Sequence, residues 1–130
     1  MSRIDHIAIW VSDLELVKDF YVRYFDMQAG LKYHNPAKQF TSYFLSAIAG
    51  GARIELMHRP DIADCLGKKG AMLGLAHIAI AVGSKEKVDA LTSQLYKDGY
   101  QVEGMPRTTG DGYYESVVLD PEGNMIEITI

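Results

Sequence analysis

Hydrophobic periodicity divides the chain into two halves of similar design. In the first half, an apolar run at 4–11 predicts a strand, and Ser12 and Glu15 then stand at the spacing of a capping box. Three shorter strands are predicted after the helix, at 29–34, 40–46 and 52–57. The first half therefore follows a βαβββ order. The apolar stripe of its helix recurs at helical intervals and comprises Leu14, Val17, Tyr21, Tyr24 and Phe25.

The same order restarts after a polar stretch without periodicity, which we interpret as a linker at 59–74. The run at 76–82 repeats the run at 5–11, so that His77 stands 71 residues after His6 (77 − 6). Ser84 is predicted to cap a second helix that ends near Gly99, with strands at 100–103, 113–120 and 125–130. We therefore predict an α+β fold of two βαβββ modules with curved mixed sheets. They form one domain over 1–130, with half-repeats of approximately 1–58 and 75–130.

Composition narrows the class of function. The formal charge is −4 and no lysine or arginine run occurs, which argues against nucleic-acid and anionic-membrane partners. The most apolar stretch, at 71–83, is shorter than the roughly 20 residues that span a bilayer. Cys65 is the only cysteine, and the N-terminus lacks the three-part design of a signal peptide. We therefore expect a cytoplasmic protein that acts on a small molecule.

Four potential metal ligands stand at matching positions of the two halves: His6, Glu55, His77 and Glu127. Because alternate residues of a strand share a face, each of the four lies opposite the aliphatic face that a helix would cover. A lone histidine or glutamate in a strand is more often a core or surface residue, so the matched set carries the metal hypothesis. Nitrogen and oxygen donors together suit Zn²⁺, Ni²⁺, Co²⁺, Mn²⁺ or Fe²⁺.

Aromatic residues on or beside these strands are candidates for a substrate pocket. Trp10 shares the predicted face of His6, and Tyr43, Tyr113 and Tyr114 are further candidates. Aromatic residues in strands also serve as plain core, and that alternative stays open for the three tyrosines.

Three segments together resemble the vicinal oxygen chelate superfamily: the runs at 5–9 and 76–80, and the run Asp-Pro-Glu-Gly-Asn-Met-Ile-Glu at 120–127. This superfamily includes glyoxalase I, extradiol dioxygenases and bleomycin-binding proteins, and the two-histidine, two-glutamate set is similar to that of glyoxalase I. The resemblance implies one divalent metal (Ni, Zn, Co or Mn, in preference to Fe) and a homodimer. It also implies a lyase that acts on a small 2-oxo or hemithioacetal substrate through an enediolate. Glu127 would be the main base and Glu55 a ligand or second base.

Two positions depart from the bacterial glyoxalase I pattern. Trp10 stands where that enzyme carries a glutathione-contacting arginine, and Arg59 replaces an asparagine. The expected thiol is therefore one other than glutathione, and Arg53, Arg59 or Arg107 would supply a different anion site. The alternative function is a non-catalytic protein of the bleomycin-resistance type that sequesters a small aromatic antibiotic or metabolite. The intact ligand set argues against this alternative, whereas Trp10 argues for it.

Overall fold

Each half of the chain folds as one helix packed against one mixed β-sheet. The computed structural model describes all residues 1–130, and the chain divides into two units, Met1–Asp64 and Cys65–Ile130. The first unit contains β1 (His6–Trp10), α1 (Leu14–Phe25), β2 (Gln28–Ala29), β3 (Tyr33–Asn35), β4 (Phe40–Ser46) and β5 (Arg53–His58). The second contains β6 (His77–Ala81), α2 (Lys85–Lys97), β7 (Val102–Thr108), β8 (Tyr114–Leu119) and β9 (Met125–Thr129).

Both sheets have the same topology at their centre. In the first unit the strand order is β1-β5-β4-β2, with β3 also paired to β4, and in the second it is β6-β9-β8-β7. The first strand of each unit pairs in parallel with the last, and the remaining pairs are antiparallel. The predicted α+β fold of two βαβββ modules is therefore confirmed. Neither helix is both long and apolar enough to cross a membrane.

Each helix packs one apolar face on its sheet, and the face of α1 follows the predicted stripe with one addition. In α1 the buried face contains Phe20 as well as the predicted positions, whereas Phe25 is only partly buried. In α2 the buried face includes Thr92 between Val88 and Leu95. The hydroxyl of Thr92 lies 2.6 Å from the Val88 carbonyl oxygen and 2.7 Å from the hydroxyl of Ser116 on β8. A polar pair therefore joins α2 to its sheet inside the core.

Of the two predicted helix starts, that of α2 is confirmed and that of α1 is wrong by one residue. Ser84 caps α2 as expected, because its hydroxyl accepts a hydrogen bond from the Lys87 amide. The predicted capping box of Ser12 is wrong: Asp13 is the N-cap of α1, and its carboxylate accepts from the Leu16 amide at 3.0 Å. Aspartate and serine are both strong N-cap residues, so a Ser-Asp pair leaves the start uncertain by one residue.

Strand boundaries differ mainly next to β4 and at β7. The single strand predicted at 29–34 is two short strands, because β2 and β3 each pair with β4 and the irregular segment 30–32 separates them. The strand predicted at 100–103 runs instead from Val102 to Thr108, with two register shifts against β8. β5 ends at His58 and β6 begins at His77, so the unit boundary after Asp64 lies between them.

A rigid turn sets the register of the last two strands. Asp120 is 4% exposed, and its Oδ1 accepts from the amides of Glu122 and Asn124, both at 2.9 Å. Its Oδ2 accepts from the Asn124 side-chain amide at 2.8 Å. These bonds fix the turn between β8 and β9, which places Val117 opposite Glu127. This turn lies between the strands predicted at 113–120 and 125–130.

The buried hydroxyl pair yields a stability prediction. Thr92→Val removes one partner and leaves the Ser116 hydroxyl buried without it, which is expected to lower the free energy of unfolding by about 1–3 kcal/mol. The double variant Thr92→Val, Ser116→Ala removes both polar groups and is expected to regain part of that loss. Urea unfolding of the four proteins in this double-mutant cycle measures the coupling. Additive losses would contradict a direct bond between the two hydroxyls.

Candidate metal and substrate site

The glutamates of the candidate set occupy the same place in both units. Glu55 is the Cα partner of Ala8 across the parallel β1–β5 pair, and Glu127 is the Cα partner of Ala79 across the parallel β6–β9 pair. In each unit the histidine lies two residues before this alanine and therefore on the same face. The alanine side chain is only a methyl group. It therefore does not block a glutamate side chain on the neighbouring strand from extending toward the histidine.

The histidine of the first unit is oriented by a carboxylate. His6 Nδ1 lies 2.9 Å from Asp5 Oδ2, and the same oxygen accepts from Arg53 Nη2 at 2.8 Å. The hydrogen bond to His6 and then the bond and charge of Arg53 lower the pKa of Asp5 to about 2. With Nδ1 donating to a carboxylate, Nε2 presents its lone pair outward. Histidines that bind metals commonly have such a partner on the other ring nitrogen.

Phe44 is a member of this face that sequence reasoning missed. It is the Cα partner of Glu55 on the β4 side, and its ring makes an edge contact with His6 at 5.3 Å between centroids. The Arg53 guanidinium lies 4.3 Å from the centre of the Phe44 ring. Alternation along β4 would have placed Phe44 on the Glu55 face once its register with β5 was known.

Tyr43, one of the predicted pocket residues, lies on the opposite face. It is the Cα partner of the buried Leu56, and its hydroxyl donates to Glu15 Oε1 on α1 at 2.9 Å. Lys32 also donates to Glu15, at 3.0 Å, and these hydrogen bonds lower the pKa of Glu15. The prediction is therefore corrected: Tyr43 fastens α1 to its sheet and does not line the His6 face.

In the second unit the histidine and glutamate are in direct contact. His77 Nε2 lies 3.2 Å from Glu127 Oε2, with the histidine side chain 39% and the glutamate side chain 19% exposed. This distance shows that a glutamate whose Cα partner is Ala79 does reach the histidine two residues earlier. The second unit therefore assembles one nitrogen and one oxygen donor on its accessible face.

Glu115 adds a carboxyl group beside Glu127. It is the Cα partner of Thr129, and burial, followed by a hydrogen bond to Glu127 and the charge of Glu127, raises the pKa of Glu115. Arg107 lies across from Glu115 on β7, and its Nη1 donates to the Glu115 carbonyl oxygen at 3.3 Å. The sequence could have indicated this position of Glu115. A hairpin centred on Glu122 pairs residue 115 with residue 129, which lies on the same face as Glu127.

Of the two remaining pocket candidates, Tyr114 lies off the His77 face and Tyr113 precedes the strand. Tyr114 shares the face of Ser116, and its hydroxyl donates to Asp89 on α2 at 2.5 Å. Tyr113 stands just before β8 in a turn closed by Thr109, and it is 59% exposed. The prediction for Tyr114 is therefore corrected to a contact between helix and sheet, and Tyr113 belongs to a turn.

Trp10, by contrast, lines a cavity on the same face as His6. Its ring contacts Phe40 edge-on at 6.2 Å, and Tyr33 contacts the other side of Phe40 at 6.0 Å. The Arg59 guanidinium lies 5.5 Å from the centre of the Trp10 ring. This cavity of about 370 Å³, here named the aromatic cavity, is lined by Trp10, Tyr33, Asn35, Lys38, Phe40, Met57 and Arg59.

Nitrogen and oxygen donors thus occur as one histidine and one glutamate per unit. No group of three or more histidine, cysteine, aspartate or glutamate side chains is poised for a metal ion in the structure. The chemistry of the donors nevertheless fits a divalent ion, because His6 has a carboxylate on Nδ1 and His77 already has a carboxylate oxygen beside Nε2.

A model of the Glyoxalase/Bleomycin resistance protein/Dioxygenase superfamily matches residues 3–128. The chain belongs to this superfamily. The resemblance drawn from the runs around His6, His77 and Glu127 is therefore confirmed. Comparison with curated protein sequences gives no match.

Solved structures of glyoxalase proteins share the fold. A glyoxalase family protein from Enterococcus faecalis is 25% identical, with a TM-score of 0.75 over 98% of this chain and 96% of that chain. Lactoylglutathione lyase from Agrobacterium tumefaciens is 24% identical, with a TM-score of 0.69 over 99% and 93% of the two chains. Glyoxalase I from Zea mays is 24% identical, with a TM-score of 0.78 over 98% of this chain. The chain spans only 44% of that maize enzyme.

Proposed function

We propose that this superfamily member is a metal-dependent lyase or isomerase of the glyoxalase I type, acting on a small 2-oxo compound or hemithioacetal. The observation that carries the proposal is the repeated register of Ala8 with Glu55 and of Ala79 with Glu127. It gives each unit one histidine and one glutamate on an accessible face. The proposal assigns two such pairs, whether from one copy of the chain or from two, to one ion.

The proposed ligands of the divalent ion are His6, Glu55, His77 and Glu127. Glu55 makes no side-chain hydrogen bond in its unit, so no existing bond competes with a cation for its carboxylate. These two nitrogen and two oxygen donors would hold the ion, and Ni²⁺, Co²⁺, Mn²⁺ and Zn²⁺ suit such a donor set. A bound divalent ion would polarise the substrate carbonyl and acidify the adjacent C–H group.

The protein side chains supply the proton transfer. Glu127 is the proposed base that removes a proton from one substrate carbon and returns it to the neighbouring carbon, and Glu55 is a ligand or second base. A carboxylate accepts a proton most effectively when it is partly removed from water, and Glu127 is 19% exposed. The bond from Asp5 to Nδ1 holds the ring of His6 in one orientation.

A second candidate function is supported by the aromatic cavity. A non-catalytic protein that sequesters a small aromatic antibiotic or metabolite needs an aromatic site and no metal. Trp10, Phe40 and Tyr33 provide such a site. The two functions can be distinguished by experiment, because only the lyase needs the metal ion and the Glu127 carboxylate.

The first prediction from this proposal concerns metal content. Protein loaded with Ni²⁺, Co²⁺, Mn²⁺ or Zn²⁺ and then desalted is expected to retain one ion per set of four ligands. His77→Ala is expected to weaken binding by more than the roughly 10–100-fold that loss of a ligand's hydrogen-bonding partner costs. Elemental analysis and competition with a chelator measure both quantities. His34→Ala, an exposed histidine on β3, is the matched control. Equal affinity of His77→Ala and the parent protein would refute the ligand set.

The second prediction concerns the base. Glu127→Gln keeps an oxygen donor but cannot accept a proton, so we expect metal-dependent turnover to fall by about 10²–10⁴-fold. Hemithioacetals of methylglyoxal with several thiols are the substrates to screen, each with the four metals. Glu103→Gln on β7 is the control and is expected to retain parental activity. Turnover in Glu127→Gln at the parental rate would show that another group moves the proton.

The third prediction concerns assembly. A cytoplasmic homodimer is proposed, because His6, Trp10 and His77 remain accessible within their units and proteins of this superfamily typically act as dimers. Sedimentation equilibrium is expected to give about twice the chain mass of 14.5 kDa. A monomer that binds metal and turns over substrate with full activity would contradict a site that depends on two copies.

A further inference from the structure

The aromatic cavity lies next to the proposed reaction site on the same strands. Trp10 is the Cα partner of Met57, and this pair follows the Ala8–Glu55 pair by two residues on the same face. Two residues of a strand span about 7 Å. A ligand whose carbonyl lies beside Glu55 therefore needs only a short linker to place its far end in the aromatic cavity.

The lining of the cavity is aromatic and positively charged. Trp10 and Phe40 present rings at nearly perpendicular angles, an arrangement that leaves ring faces and edges for a planar ligand. The charged side chains of the cavity lining are Lys38 and Arg59, and the lining contains no carboxylate. Arg59 is neutralised by two bonds to Asp61, at 2.7 and 2.9 Å. Lys38 forms no ion pair and is therefore the cation that selects the charge of a ligand.

The same lining is poorly suited to a peptide-like ligand such as glutathione. Asn35 is the only neutral amide side chain in the lining, and its Oδ1 already accepts from the Lys38 amide at 3.3 Å. Apart from Lys38 and Arg59, the lining offers a ligand only the Tyr33 hydroxyl and the Asn35 amide, so the peptide groups of glutathione would lose hydrogen bonds to water that this surface replaces only in part. An aromatic ring carries no such cost. The cavity volume of about 370 Å³ lies in the range of small-molecule sites.

We propose that the aromatic cavity binds a planar aromatic ring with an anionic substituent, as the part of the substrate remote from the reacting carbonyl. Trp10 and Phe40 contact the ring, and Lys38 pairs with the anion. This inference rests on the proposed lyase function for the role of the ring in a substrate. The binding of the ring itself requires neither the metal nor Glu127.

Trp10 is the only tryptophan of the chain, so its fluorescence reports directly on the cavity. Metal-free protein is titrated with 4-methylbenzoate, with the neutral 4-methylbenzyl alcohol and with S-methylglutathione. We expect saturable quenching by 4-methylbenzoate, binding of the alcohol that is about 2–5-fold weaker, and none by S-methylglutathione. Calorimetric titration gives the affinities independently of the optical signal. Equal affinities for the anion and the alcohol, or tighter binding of S-methylglutathione, would overturn the proposal.

Variants assign the contacts. Lys38→Gln is expected to reduce the affinity for 4-methylbenzoate to that for the alcohol, whereas Lys97→Gln, on α2, is the control without effect. Phe40→Leu is expected to weaken both aromatic ligands by about 2–12-fold. Tyr96→Leu, an exposed aromatic on α2, is its control. A Phe40→Leu protein that keeps the parental stability and binds both aromatic ligands with parental affinities would place the ligand elsewhere. So would a Lys38→Gln protein with unchanged selectivity.

Turnover separates this inference from the proposed function. The hemithioacetal of methylglyoxal with 4-(mercaptomethyl)benzoate is compared with those of benzyl mercaptan and glutathione, using metal-loaded protein. Preferred turnover of the benzoate adduct supports both proposals. Binding of 4-methylbenzoate without turnover of any adduct supports the cavity and refutes the lyase. Turnover of the glutathione adduct, together with no binding of 4-methylbenzoate, supports the lyase and refutes the cavity.

Discussion

Parallel pairing of the first and last strands in each unit determines where every candidate functional group lies. Backbone hydrogen bonds along β1–β5 and β6–β9 fix which residue stands beside which, and a slip of one residue would turn each glutamate toward the helix. The helix-covered faces resist such a slip, because Ile54, Leu56, Ile126 and Ile128 are buried there. Hydrophobic burial on one side of each sheet thus holds the polar groups in register on the other side.

The fold was predictable because it depends on periodicity that a single sequence displays. Two apolar strand patterns with a histidine at the same place, each followed by a capped helix, suffice to define a repeated module. The prediction places the N-cap of α1 one residue early. Ser12 and Asp13 are both good N-cap residues, and only the backbone geometry shows which of them is the cap. The prediction merges the short strands beside β4, because an irregular segment between two weak patterns leaves little trace in composition.

The candidate site was only partly predictable, because side-chain faces within a sheet depend on register between strands. His6, Trp10, His77 and Glu127 were placed by alternation along their own strands. The faces of Tyr43 and Tyr114 follow only from the pairing between strands. Tyr43 is the Cα partner of Leu56, and Tyr114 shares the face of Ser116, so both tyrosines lie against helices. Phe44 and Glu115 went unrecognised for the same reason. Glu115 would have been found by extending the register outward from the turn at Asp120.

The spacing between the paired strands has a consequence for how such a chain tolerates change. Glu55 follows Ala8 by 47 residues (55 − 8), and Glu127 follows Ala79 by 48 (127 − 79), yet both pairs have the same register. The difference of one residue is a net result of helices and connections of unequal length, such as α1 with 12 residues and α2 with 13. Insertions and deletions in these connecting segments leave the register of the histidine and glutamate donors unchanged. Lys38 lies in such a segment, the single turn Pro36–Lys38 between β3 and β4. That segment can therefore be exchanged or lengthened, which makes the charge selectivity of the aromatic cavity adjustable while the paired strands stay fixed.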